Sequence, residues 1–135
     1  MKTIVFFGAI LSVAFAATLP ANEQQAINKV HKNCQSNPST YVDESKLKDL
    51  ATYGQEPQVG VHMLCMSKGS GVQNQSGQLD KGVVKSKVLL VIKDQGKANE
   101  ITNKCAVSKD TPEKTAVAVY LCLNQNSVPF KPDLA

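Results

Sequence analysis

The chain has 135 residues, with 15 lysines and no arginine against 11 acidic residues, a formal charge of +4, 42% apolar residues and 19% charged ones. That composition describes one small globular domain and excludes a multidomain enzyme, a long disordered chain and a charged tail for nucleic acid. Without the guanidinium fork that reads phosphates and bases, no nucleic-acid partner is expected.

Met1-Lys2 leads into residues 3–17, a stretch of apolar and small residues without a charge. The stretch is too short to span a bilayer. A basic start, an apolar run and the small-x-small triplet Ala14-Phe15-Ala16 read as a secretory signal peptide over residues 1–16, leaving a domain over 17–135. The product is expected to be secreted and extracellular. No stable membrane insertion is expected either, since no second apolar segment reaches spanning length. Processing removes Lys2 and three phenylalanines, which leaves a net charge of +3 and four aromatic residues: Tyr41, Tyr53, Tyr120 and Phe130.

In an oxidising compartment an even number of thiols is expected to pair. The four are Cys34, Cys65, Cys105 and Cys122. They admit three connectivities, and spacing alone does not choose among them. Two bridges closing loops of about 20 to 30 residues would each contribute about 3 to 4 kcal/mol, a large share of the stability of a domain this small.

Residues 20–33 carry good helix formers with Ala26, Ile27 and Val30 at helical spacing, and Ser36-Asn37-Pro38-Ser39 breaks the helix. Asp43 caps a short second helix with Leu47, Leu50 and Ala51 on one face. A third starts at Pro57 and carries a stripe of Val59, Met63 and Met66, widened by Val61, Leu64 and Cys65. Gly69-Ser70-Gly71 stops it, and residues 72–78 read as an exposed loop. Leu79-Asp80 opens a fourth element reaching Ile92. Its run of β-branched residues also suits a buried strand, as does the segment 116–123. Val84, Val88, Val91 and Ile92 follow i, i+4, i+7, i+8, however, and no Asn-Gly or Asp-Gly hairpin joins the two segments, so both are read as helices. Residues 99–107 make a short fifth helix. Thr111-Pro112-Glu113 starts a sixth, apolar nearly all round, over 112–124. The fold class is all-α, with about six helices.

Catalytic motifs are missing from the sequence. His31 and His62 are the only imidazoles, and neither they nor Gly69-Ser70-Gly71 form a nucleophile elbow, a zinc-protease motif or a phosphate loop. The chain is read as a non-enzyme with no cofactor and no metal. One pattern favours a metal: His31-x-x-Cys34 and His62-x-x-Cys65 would place two imidazoles and two thiolates together, but secretion favours oxidised cysteines over zinc ligands. The same histidine pair suggests titration between pH 5 and 8 that loosens the fold in acid. Asn74-Gln75-Ser76 is an N-glycosylation triplet, whereas proline excludes Asn37-Pro38-Ser39. The lysines are interleaved with acids and read as a solvated surface, with no basic amphipathic face for a membrane.

What remains is aliphatic: Met63, Leu64 and Met66, the valines and leucines of 84–92, and the run 117–123. A packed core is one outcome; divergent short helices with few rings to fill their centre also leave room for a lipophilic cavity. From helical phase the lining residues are expected to be Leu50, Met63, Leu64, Val84, Val88, Ile92, Val117, Tyr120 and Leu121, with Tyr120 or a backbone carbonyl supplying one directional hydrogen bond. The tail at 127–130 is either a lid with Phe130 as its plug or a frayed terminus.

The cysteine framework, with 30, 39 and 16 residues between successive cysteines, resembles that of the insect pheromone and general odorant-binding family. That family's second cysteine lies four positions before the third and its fifth nine before the sixth; Val61 and Glu113 occupy those positions here. Losing both members of one bridge is the pattern of the four-cysteine "Minus-C" subgroup. Ser76-Gly77-Gln78-Leu79-Asp80, and the string from Cys105 through Thr111-Pro112-Glu113 to Tyr120-Leu121-Cys122, are similar to the family as well. The resemblance implies helices around an internal hydrophobic cavity, bridges Cys34–Cys65 and Cys105–Cys122, and a secreted carrier of small hydrophobic ligands, odorants and pheromones among them. It also implies contact with a membrane receptor and a monomer or weak homodimer. An aliphatic lining should prefer alkyl chains or terpenoids to flat aromatics, and loss of the third bridge should make the pocket more compliant. The alternative is a secreted structural, haemolymph or seminal protein of the same fold without a specific small ligand.

Overall fold

A computed structural model describes residues 18–134, so the expected signal peptide lies outside the described residues. Seven helices follow in chain order among them: α1 Ala21–Gln35, α2 Glu44–Lys48, α3 Leu50–Tyr53, α4 Pro57–Gly69, α5 Lys81–Leu89, α6 Gln95–Cys105 and α7 Pro112–Gln125. The all-α reading holds, and the strand alternative fails for both segments: residues 87–89 end a helix whose last carbonyls accept from the N–H groups of Leu90, Val91 and Ile92, and residues 116–123 lie inside a helix.

Local chemistry explains most of the helix boundaries. Asp43, Asp80, Asp94 and Thr111 each accept a hydrogen bond from a backbone N–H in the first turn of the helix they precede, and Pro57 and Pro112 occupy first-turn positions where no N–H is needed. The Asp94 cap starts α6 four residues before the expected Asn99, and α6 ends at Cys105 instead of reaching Val107, which is exposed. The expected second helix is two. At Asp49 the backbone leaves the helical region (φ −128°, ψ 58°), and α3 is a new single turn in which the Thr52 and Tyr53 N–H groups donate to the Asp49 carbonyl. α5 stops at Leu89, and Leu90 to Ile92 close with a turn in which the Ile92 N–H bonds the Val88 carbonyl.

α4 and α7 form the largest helix–helix contact, with α1 packed on α4 and α6 joining α5 to α7. The nearly all-round apolar α7 lies at the centre, burying Ala116, Val117, Val119, Tyr120 and Leu123. Bridges Cys34–Cys65 and Cys105–Cys122 tie α1 to α4 and α6 to α7, and no cysteine is free. Among the described residues no helix is long and apolar enough to cross a membrane.

The segment 72–78 is only partly the exposed loop its composition suggests. Val72 and Gln73 are fully buried, and an isolated antiparallel bridge joins Gln73 to Leu79. The Gln73 side chain donates to the carbonyls of Gly77 (2.9 Å) and Pro112 (3.1 Å), which pins the base of the turn to the start of α7. A buried amide with two backbone acceptors was hidden within a polar run.

Candidate ligand-binding cleft

A cleft of about 330 Å³ lies among α2, α3, α4, the C-terminal half of α7 and the chain's tail. Leu47 and Leu50 come from the two sides of the Asp49 break, Met63 and Met66 from one stripe of α4, and Tyr120 and Leu121 from α7, with Pro132 and Leu134 completing the wall. Tyr120 and Met66 are almost fully buried, while Lys48, Asp49, Gln125 and Lys131 are exposed. Apolar walls therefore lead out to a charged mouth.

Four of the nine residues expected from helical phase, Leu50, Met63, Tyr120 and Leu121, meet in this cleft; the other five do not line it. Val84 and Val88 are buried in the core on α5, and Leu64 and Ile92 pack half-buried against that core. Val117 packs beside the end of α3, where a Cβ added to Gly54 would come within 2.7 Å of its Cγ1. Helical phase separates inward from outward faces but not a face turned to a cleft from one turned to another helix.

Phe130 neither plugs the mouth nor belongs to a frayed end. It is fully buried against Tyr120, ring centroids 5.3 Å apart, with Lys87 Nζ 5.6 Å from its centroid. Behind it the tail is fastened to one face of α1. Gln24 Nε2 donates to the Lys131 carbonyl (3.0 Å), Asn28 Nδ2 to Asp133 Oδ2 (2.9 Å), and the Asp133 N–H to Asn28 Oδ1 (2.8 Å). Fixing the tail brings Lys131, Pro132 and Leu134 into the wall, and no local pattern in the sequence marks them for that role.

The polar groups at the cleft's buried end are only partly satisfied by the protein, with His62 Nε2 and the Tyr120 hydroxyl lacking a hydrogen-bond partner. His62 Nδ1 lies 2.8 Å from the Thr40 carbonyl; because a carbonyl only accepts, the proton is on Nδ1 and Nε2 keeps its lone pair, with no hydrogen-bond partner. Desolvation holds the His62 pKa below its ordinary value, partly opposed by the bond to Thr40. The His31 ring stands edge-on at 5.2 Å and bonds Glu44 Oε2 through Nε2 at 2.8 Å. Both imidazoles thus lie where the His-x-x-Cys spacing suggested, but the sulfurs are consumed in bridges, so the two-His, two-Cys zinc site does not form. The Tyr120 hydroxyl, expected to offer a directional bond, is buried near Ser70, and burial pushes its pKa up.

A second cleft of about 260 Å³ opens at the other end of α4 and α7, lined by Glu56, Pro57, Gly60, Val61, Thr111, Glu113 and Lys114. It holds both positions at which the third bridge of the six-cysteine pattern would lie. A profile of the PBP/GOBP family matches residues 16–126. The chain belongs to the PBP/GOBP family. It does so in a four-cysteine, two-bridge form. Relatives include the B1 protein of Tenebrio molitor, 26% identical over 125 residues covering 93% of this chain and 95% of the relative. The B2 protein of the same beetle is 27% identical over 125 residues, 93% of this chain and 97% of the relative. The PBP/GOBP family is one of binding proteins for small hydrophobic ligands.

Proposed function

We propose that this PBP/GOBP protein is a secreted carrier that takes small hydrophobic molecules into the 330 Å³ cleft and moves them through an extracellular fluid. The observation that carries the reading is the cleft's wall of Leu47, Leu50, Met63, Met66, Leu121 and Leu134 around Tyr120. The volume falls at the lower end of the roughly 300–1,000 Å³ typical of small-molecule sites. A flexible, sulfur-containing aliphatic wall adapts to alkyl and terpenoid shapes, and desolvation at about 25 cal/mol per Å² supplies affinity without a charged anchor. A fluorescent lipophilic probe displaced by fatty alcohols, terpenoids and flat aromatics tests this on the oxidised protein, which lacks tryptophan for intrinsic quenching. Saturable binding near the micromolar range, about 8 kcal/mol, with aliphatic compounds displacing best, is the expected result. No saturable binding with both bridges intact would leave a structural role for the same fold.

A further inference from the structure

Asn74-Gln75-Ser76 is the chain's one proline-free Asn-x-Ser/Thr triplet, and the cleft makes no use of it. All three residues are exposed, at the tip of the small hairpin whose base is the Gln73–Leu79 bridge. Gly77 closes the tip with φ +88°, a conformation that L side chains rarely adopt, and its N–H bonds the Asn74 carbonyl at 2.9 Å.

The two ends of the Asn74 amide have different work. Oδ1 is the structural end: it accepts from the Ser76 hydroxyl (2.7 Å), the Ser76 N–H (3.0 Å) and the Gln78 N–H (3.0 Å), holding the turn. Nδ2 meets only the exposed side chain of Gln78, at 3.2 Å. Replacing one Nδ2 hydrogen by carbon leaves Oδ1 and all three of its bonds in place. The Ser76 hydroxyl, by donating to Oδ1, polarises the same amide. The hairpin stands against Pro112 at the start of α7, where a Cβ on Gly77 would approach Pro112 Cβ to 2.9 Å. The ligand cleft first meets α7 eight residues further on, at Tyr120, about 12 Å along the helix axis. A bulky group on Asn74 is therefore attached apart from the residues that line the cleft.

From this geometry we propose that Asn74 is a modification site carrying an N-linked oligosaccharide, added from a lipid-pyrophosphate-linked donor in the secretory pathway. Nδ2 forms the bond to the anomeric carbon, the sugar–pyrophosphate bond breaks with the lipid pyrophosphate leaving, and one Nδ2 proton is lost to a base. The assignment rests on the secretory route proposed above.

The test is expression of the full chain in insect cells with intact-mass analysis of protein recovered from the medium. The expected result is a mass above the polypeptide's, spaced in hexose-sized steps, that collapses on treatment with a peptide N-glycosidase, with the change mapping to Asn74. Asn74→Asp keeps the Oδ1 acceptor and removes the nucleophile, Ser76→Ala removes the hydroxyl, and both are expected to be secreted at the bare polypeptide mass; Ser76→Thr is expected to keep the modification. Wild-type protein in the medium at the bare mass overturns the site and leaves secretion standing. Chain retained in the cells without sugar overturns both.

Discussion

The two clefts between α4 and α7 are similar in volume, about 330 and 260 Å³, and differ in their walls. At the tail end, leucines and methionines surround a buried tyrosine and the docked tail adds a wall. At the α7 N-terminal end, Glu56, Glu113 and Lys114 project around a backbone contact so close that a Cβ on Gly60 would lie 3.1 Å from Glu113 Cβ. Both clefts carry charged side chains, but only the first sets methionines and leucines around a buried ring, the wall on which the proposed binding of a lipophile rests. Volume alone does not make a site.

The comparison breaks most severely at the floor of the first cleft. Tyr120→Ala removes a ring that is 1% exposed and packed against Phe130, with an expected loss of about 3–5 kcal/mol in stability, read by urea denaturation. Next, the second cleft accepts a staple. Val61→Cys with Glu113→Cys is expected to form a third bridge on oxidation, because both residues line the same cleft and the helices already touch at Gly60. A gain of about 2–4 kcal/mol over the reduced pair, with no free thiol on titration and probe affinity within twofold of wild type, is the expected outcome.

Leu121→Trp, which fills the first cleft from a half-buried position, is expected to weaken probe binding by about tenfold, or about 1.4 kcal/mol. Val61→Trp at the second cleft leaves binding unchanged; equal losses in the two variants would erase the distinction between the clefts. The smallest effect concerns pH. Burial lowers the His62 pKa in the folded chain, so between that value and the ordinary 6.5 the unfolded chain binds more protons. Stability from this residue is full above about pH 6.5 and falls as pH drops toward the folded pKa. His62→Gln is expected to flatten that part of a plot of denaturation midpoint against pH.

Much of the fold was legible in the sequence because helix signals are local. Asp43, Thr111, Pro57 and Pro112 announce helix starts by satisfying or lacking a single N–H, and the burial of Val84 with Val88 follows from a period of 3.6. The cysteine spacing carried the family, since a bridge that disappears takes both partners with it. The site was legible only in part. Leu50, Met63, Tyr120 and Leu121 reach the cleft, whereas Val84, Val88 and Val117 face other helices. All of these positions are apolar and correctly phased, and phase says nothing about which neighbour stands opposite.

The tail shows the same division most sharply. Val128 and Phe130 are apolar in the sequence, yet their full burial depends on the Tyr120 ring and on Gln24 and Asn28, more than 100 residues away, which hold the Lys131 carbonyl and Asp133. Residue types and spacing by themselves determined a helical domain, its bridge-forming cysteines and an aliphatic interior, because caps, periodicity and side-chain polarity act over a few residues. Tertiary structure alone decided which aliphatic surface stayed open, because a cleft is the space left where helices from distant parts of the chain do not meet.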